Sequence, residues 1–187
     1  MRARLMDIVP LLQTTHREMK RHITGPANVF WVFHVIRDYT HTLAAANYDR
    51  QQLTEWRALA DRLEVAQPPL PIVFGHHDFL PGWLIDWEYA GFGTCMFDLA
   101  NIAANGNFSA EEERRLLEAY FDAAPSEAII RAFDAMKVAS ALREAIWALV
   151  SARHLAAPGA DYEAHATDYL ARTAAMLAQF TDKHGSP

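Results

Sequence analysis

The sequence predicts a mainly α domain carrying a small β-hairpin insert, and three observations lead there. Apolar residues recur at helical spacing along most of the 187 residues. Only two short β-type runs, 72–74 and 83–85, break that pattern, and both follow the cluster Pro68, Pro69 and Pro71. A chain with 51% hydrophobic residues, 21% charged residues and a net charge of −6 has the balance of a globular domain with a core.

The elements follow in order. Leu5, Ile8, Leu11 and Leu12 start a helix that runs toward His16 and has ended by Gly25-Pro26. Asn28 is the expected N-cap of a second helix over 29–43. Phe30, Trp31, Phe33, Val35, Ile36 and Tyr39 make it apolar almost all round, which places it at the centre of the core. A third helix over 50–65 sets Leu53, Trp56, Leu59, Ala60 and Leu63 on one face. Runs 72–74 and 83–85 are strands too short to stand alone, so they must rest on helices. Helices follow over 97–104 and 109–121, the latter opened by the capping box Ser109-Ala-Glu-Glu112. A long helix over 126–155 carries one apolar stripe through Ile129, Phe133, Met136, Leu142, Ile146, Leu149 and Val150. The last helix presents Tyr162, Ala166, Tyr169, Met176, Leu177 and Phe180, with Thr173 filling a turn.

Composition excludes several function classes. No apolar run reaches the length of a membrane span, since the stretch 29–36 carries His34 and is closed by Arg37-Asp38. The basic start is cut by Asp7 and Pro10 before any export signal develops. A lone Cys95 precludes an internal disulfide and fits the reducing cytoplasm. With a pI near 5.8 and no basic cluster, nucleic acid is not an expected partner. His34, His154 and His165 stand singly on helices, without partners at metal-ligand spacing.

Chemistry concentrates between Gly75 and Asp98. There the chain places His76, His77, Asp78, Asp86, Glu88 and Asp98 around two expected strand ends, where a rigid scaffold presents reactive groups. One carboxylate could orient or accept a hydroxyl proton while another holds Mg²⁺ through oxygen, the arrangement of phosphoryl transfer. An acidic loop that is merely solvated is the alternative.

Three ordered motifs then add a specific resemblance. His76-His77-Asp78-Phe79-Leu80-Pro81-Gly82, Leu84-Ile85-Asp86-Trp87-Glu88-Tyr89-Ala90-Gly91 and Phe97-Asp98-Leu99-Ala100-Asn101 together resemble the choline/ethanolamine kinase branch of the aminoglycoside-phosphotransferase-like kinases. The likeness covers nearly the whole chain as the C-terminal, substrate-binding lobe of that protein-kinase-like fold, whose parent is α+β. It implies that Asp78 is the catalytic aspartate, that Asp86 holds Mg²⁺ against ATP phosphates, and that His76 and Asp98 support the catalytic loop, Asp98 by accepting backbone N–H bonds. It also implies an amine or small amino alcohol as partner. Choline has no N–H donor, so its recognition needs aromatic faces and negative charge, which Trp87, Glu88, Tyr89 and Trp147 offer. Core packing is the other reading of Trp147, and the expected one for Trp31 and Trp56.

The sequence departs from the family in two places. No Gly-rich phosphate loop or phosphate-pairing lysine is found, the first lysine being Lys20, so residues 1–187 are expected to form the substrate-binding lobe alone and to turn over little by themselves. Apolar surface left uncovered at the cleft would then favour self-association. Five residues after Asp78, where the family has a metal-binding asparagine, stands Trp83, as if the asparagine and its hairpin were cut out. If residues were instead missing between Gly82 and Trp83, their Cα atoms would lie well beyond about 3.8 Å apart. Beside the kinase reading stand a non-catalytic pseudokinase or amine-binding module, and a kinase of an aminoglycoside or thiamine.

Overall fold

The structure, a computed structural model, describes residues 5–79, 86–155 and 159–187. The chain divides into two compact units, Met1–Trp31 with Pro68–Phe133 and Val32–Gln67 with Asp134–Pro187. The strand expected at 83–85 and the Gly82–Trp83 junction lie outside the described residues.

The first unit opens with helix α1 (Leu5–Glu18), followed by one 3-10 turn, Met19–Arg21. Val9, Leu12 and His16, at i, i+3 and i+7, form its buried face. Strand β1 (Ile72–Gly75) pairs antiparallel with β2 (Gly91–Thr94), Ile72 opposite Thr94 and Gly75 opposite Gly91. The described partner of the first strand is therefore Gly91–Thr94, where the sequence predicts no element. Its two glycines weaken any strand signal, because they are placed for close approach of a neighbouring backbone. Segment 28–30 lies alongside: Phe30 N–H donates to the Phe92 carbonyl and Phe92 N–H to the Asn28 carbonyl, both at 2.8 Å. A Cβ on Gly91 would sit 2.5 Å from the Asn28 oxygen, and one on Gly93 would sit 2.4 Å from that of Phe30. Gly93→Ala should therefore destabilise this unit by about 2 kcal/mol through forced displacement of backbone. A urea midpoint lowered at unchanged slope would show it, and an unchanged midpoint would refute the close approach.

Helix α4 (Cys95–Gly106) follows β2 directly, with the Thr94 hydroxyl accepting the Met96 N–H, and is buried from Cys95 to Ala104. Helix α5 (Ala110–Phe121) starts at the expected capping box, formed reciprocally by Ser109 and Glu112. It packs on α1 and α4, and α1 also packs on β1, so the short hairpin rests on helices.

The second unit holds α2 (Val32–Ala45), α3 (Arg50–Val65), most of α6 (Glu127–His154) and α7 (Tyr162–His184). Asn28 is not an N-cap. Its carbonyl is bonded in the sheet, the chain stays extended through Phe30, and α2 begins at Val32. Nor is α2 enclosed: Val32, Phe33, Ile36, Thr40 and Leu43 are buried while His34, Asp38 and His41 are exposed. The enclosed helix is α6, in which every residue from 132 to 143 is buried, so it has no single stripe. Ala132, Ala135, Ala139, Ser140 and Ala141 let neighbours approach it from all sides. Helix α3 buries Leu53, Trp56, Leu59, Ala60 and Leu63 and is capped by the Asp49 carboxylate, which accepts the Gln51 and Gln52 N–H groups. Trp31, by contrast, is only half-buried. In α7, Lys183 and His184 both reach Asp134 at 2.8 Å. Among the described residues no helix is long and apolar enough to cross a membrane.

Candidate functional site

The site is built on the turn leaving β1. Asp98, fully buried in the first turn of α4, accepts the His76 N–H on Oδ2 at 2.9 Å and the His77 N–H on Oδ1 at 2.7 Å. One carboxylate thus fixes two successive peptide groups immediately before Asp78. Further along α4, Asn101 Oδ1 accepts the Phe79 N–H and Asn105 Nδ2 donates to the Phe79 carbonyl, each at 2.8 Å. Asp98, Asn101 and Asn105 follow i, i+3, i+7, so one helix face grips both sides of Asp78. Burial alone would raise the Asp98 pKa, but hydrogen bonds led by that from His16 hold it below the ordinary value.

The two histidines serve different surroundings. His76 Nδ1 accepts the Asp78 N–H at 3.3 Å, and its ring stacks on Phe79 and meets Trp87 edge-on at 4.8 Å. His77 sits at φ 63°, a left-handed conformation that a side chain rarely adopts, right beside Asp78. Its ring stacks on Phe30 at 4.4 Å, and Nδ1–H donates to the Tyr89 carbonyl at 3.3 Å. Burial pushes the His77 pKa below 6.5, with Asp98 and Tyr89 offsetting only part of the effect. The unfolded chain therefore binds this proton more readily than the folded one. Stability from His77 is complete above pH 6.5 and falls as pH drops below that value, whereas the Asp98 contribution is lost only below the ordinary carboxylate pKa of 3.8. Urea unfolding between pH 7.5 and 5 should show decreasing stability, and His77→Asn, which keeps a residue tolerant of the left-handed region, should flatten the decline. An unflattened decline would place its source elsewhere.

Asp86, Trp87, Glu88 and Tyr89 form the return to β2. Asp86 is exposed at φ 74°, and the Ala90 N–H closes a turn on the Trp87 carbonyl at 3.0 Å. Trp87 and Glu88 are exposed, while Tyr89 is half-buried with its ring edge on Phe30. The structure thus brings Asp78, His76, Asp98 and the 86–89 turn together in the first unit. Trp147 lies in the second unit, where its ring meets Tyr162 at 5.9 Å and His165 at 6.1 Å, both edge-on. His165 also contacts Tyr169 and pairs with Glu144 at 3.1 Å, while the Arg172 guanidinium lies over the Tyr169 ring. His34 and His154 are exposed. Cys95 is buried and its thiol pKa is pushed up to about 11, chiefly by burial, so it stays protonated at neutral pH.

No family model and no curated protein matches the sequence. Solved structures do match the fold. A choline/ethanolamine kinase family protein from Mesorhizobium loti superposes with a TM-score of 0.76 at 24% identity, covering 95% of this chain and 63% of that one. An ethanolamine kinase from Plasmodium vivax gives 0.72 at 18% identity, with 97% and 61% covered. The choline kinase LicA from Streptococcus pneumoniae gives 0.69 at 19%, with 95% and 64% covered. The chain has the fold of the choline/ethanolamine kinases. What it shares with that choline-kinase fold is the helical C-terminal lobe with its two-stranded hairpin. It spans 61% to 64% of the length of these three structures.

Several residues of this site escaped the sequence reading. His16 Nε2 reaches Asp98 Oδ2 at 2.8 Å, and its Nδ1 reaches the Tyr120 hydroxyl at 2.7 Å. The sequence assigns no role to Asn101 or Asn105. Their i, i+3, i+7 spacing with Asp98 in an otherwise apolar helix was the available signal, and His16 stood on the apolar face of its helix in the same way.

Proposed function

We propose that this chain is the substrate-binding lobe of an ATP-dependent phosphotransferase that acts on the hydroxyl of a small amino alcohol such as choline or ethanolamine. The observation that carries the reading is the double anchoring of the 76–78 loop by Asp98, with the acidic and aromatic 86–89 turn packed beside it through Trp87 and His76. Asp78, held between peptide groups gripped by α4, is the group that orients the acceptor hydroxyl and takes its proton. Trp87, Glu88 and Tyr89 supply aromatic faces and negative charge for a cationic amine, and Trp147 with Glu144 offers the same pairing in the second unit.

Mg²⁺ is compatible with the donor chemistry. Among the described residues no group of three metal-ligating side chains occurs, but Mg²⁺ commonly takes only one or two carboxylates and completes its shell with phosphates and water. Asp86, an exposed carboxylate, fits that role, and a bound ion there would neutralise phosphate charge. Trp83 in place of an asparagine favours a second reading, an amine-binding module without turnover.

Calorimetry with choline and ethanolamine, paired with single-turnover phosphorylation from ATP, separates these readings. Binding with transfer supports the kinase, and binding without transfer supports the module. Absence of binding to either amine contradicts both. Trp147→Ala and Glu88→Gln should each weaken binding about tenfold or more if their side chains touch the amine.

A further inference from the structure

We propose that the His77 side chain is a positioning residue for the 86–89 turn, joining that turn to the loop that carries Asp78. Its functional meaning rests on the phosphotransferase reading, in which the turn recognises the amine, and its substance rests on geometry. His77 bears two costs where it stands. Its backbone is left-handed at φ 63°, a conformation that glycine or asparagine takes more readily, and its ring is fully buried, which holds its pKa below the ordinary value. Costs of this kind persist only where the surrounding structure holds the residue in place, and they direct attention to what the side chain touches.

The ring occupies a socket shaped to it. A Cβ on Gly75 would stand 2.5 Å from Nε2 and one on Gly93 2.9 Å, so glycines on both strands make the room. Phe30 stacks on the ring face at 4.4 Å with the planes 10° apart, and Phe97 lies tilted at 6.0 Å. The Nδ1 edge points the other way, 3.3 Å from the Tyr89 carbonyl, and because a carbonyl only accepts, Nδ1 carries the hydrogen. Tyr89 in turn sets its ring edge-on to Phe30 at 6.5 Å, the same ring on which His77 stacks. One side chain thus joins loop and turn twice, directly by the hydrogen bond and indirectly across Phe30. Trp87 also meets His76 edge-on, a contact that survives sliding, whereas the His77 hydrogen bond fixes the Tyr89 carbonyl in one place. Asp98 Oδ1 holds the His77 peptide N–H at 2.7 Å, so the ring projects from anchored backbone and the turn inherits that position.

His77→Gly and His77→Asn both suit the left-handed region, so neither strains the backbone. Asparagine returns an N–H near the place of Nδ1, and glycine returns nothing. The reporter is amide hydrogen exchange in the ¹⁵N-labelled chain at Ala90, whose N–H closes the turn on the Trp87 carbonyl, read against His76, whose N–H is held by Asp98. His77→Gly should speed exchange at Ala90 about tenfold or more relative to His76, and His77→Asn should bring the ratio back to within about threefold of the parent. An unchanged ratio in the glycine variant, or an asparagine variant no better than glycine, overturns the proposal. If the glycine variant does not fold, the parent chain decides through the ring ¹⁵N shifts of His77 at pH 7.5: the neutral Nδ1–H tautomer is expected, and the Nε2–H tautomer overturns it. In calorimetry, His77→Gly should weaken binding of choline or ethanolamine about fivefold or more, and His77→Asn should recover most of the loss. Unchanged amine affinity beside faster Ala90 exchange overturns the positioning role. Exchange that responds as expected in a chain whose parent binds neither amine leaves the coupling of loop and turn standing and removes the phosphotransferase reading.

Discussion

Asp98→Ala should lower the unfolding free energy of the chain by about 3 to 5 kcal/mol. The substitution takes away the acceptor of three buried donors, the His76 N–H, the His77 N–H and His16 Nε2–H, in a place with no solvent to replace it. A domain has roughly 5 to 15 kcal/mol in total, so a loss of this size should bring the variant near unfolding at ambient temperature. Asp98→Asn should fall between, since its amide keeps one acceptor oxygen but turns an N–H₂ toward a donor. Urea unfolding at pH 7 measures both, and a loss below about 1 kcal/mol for alanine would mean that the loop does not depend on this carboxylate.

The second large effect is on rate. On the proposed phosphotransferase reading, Asp78→Asn should slow whatever transfer from ATP to ethanolamine or choline the chain supports by roughly 10²- to 10⁴-fold, the usual contribution of a positioned general base, while amine affinity stays within about threefold. The split follows from the fold. The Asp78 peptide is held from both sides by α4, so the substitution alters proton acceptance and leaves the loop in place. Single-turnover rates with calorimetric affinities test it, and a rate within about fivefold of the parent would take the base role away from Asp78.

What the sequence revealed depended on how local the determining interactions are. Helix α3 and the Ser109–Glu112 capping box were legible because periodicity and caps act within a few residues. The start of α2 was not. Asn28 reads as an N-cap locally, but its carbonyl is claimed by Phe92, more than sixty residues away. Strand β2 was invisible for a related reason: Gly91 and Gly93 are chosen for the backbone of 28–30, a neighbour no window contains. In the site, the motif residues Asp78, His76 and Asp98 stood out because their spacing is itself the signal. His16 and Tyr120 come from helices at either end of the first unit, and a single histidine on an apolar face looks like any packed histidine until its partners are in place. The swap of α2 and α6 as the enclosed helix has a compositional cause. Large apolar residues made α2 look central, whereas alanines make α6 the helix that can be surrounded.

The central claim is that a small amino alcohol is held next to the Asp78 loop. Titration of the ¹⁵N-labelled chain with choline and with ethanolamine, followed residue by residue, tests it most directly. Saturable shifts are expected at the Asp78, Trp87, Glu88 and Tyr89 amides and at the Trp87 indole N–H. No shift at these positions up to about 10 mM amine, weaker than any affinity expected of a substrate site, would contradict it.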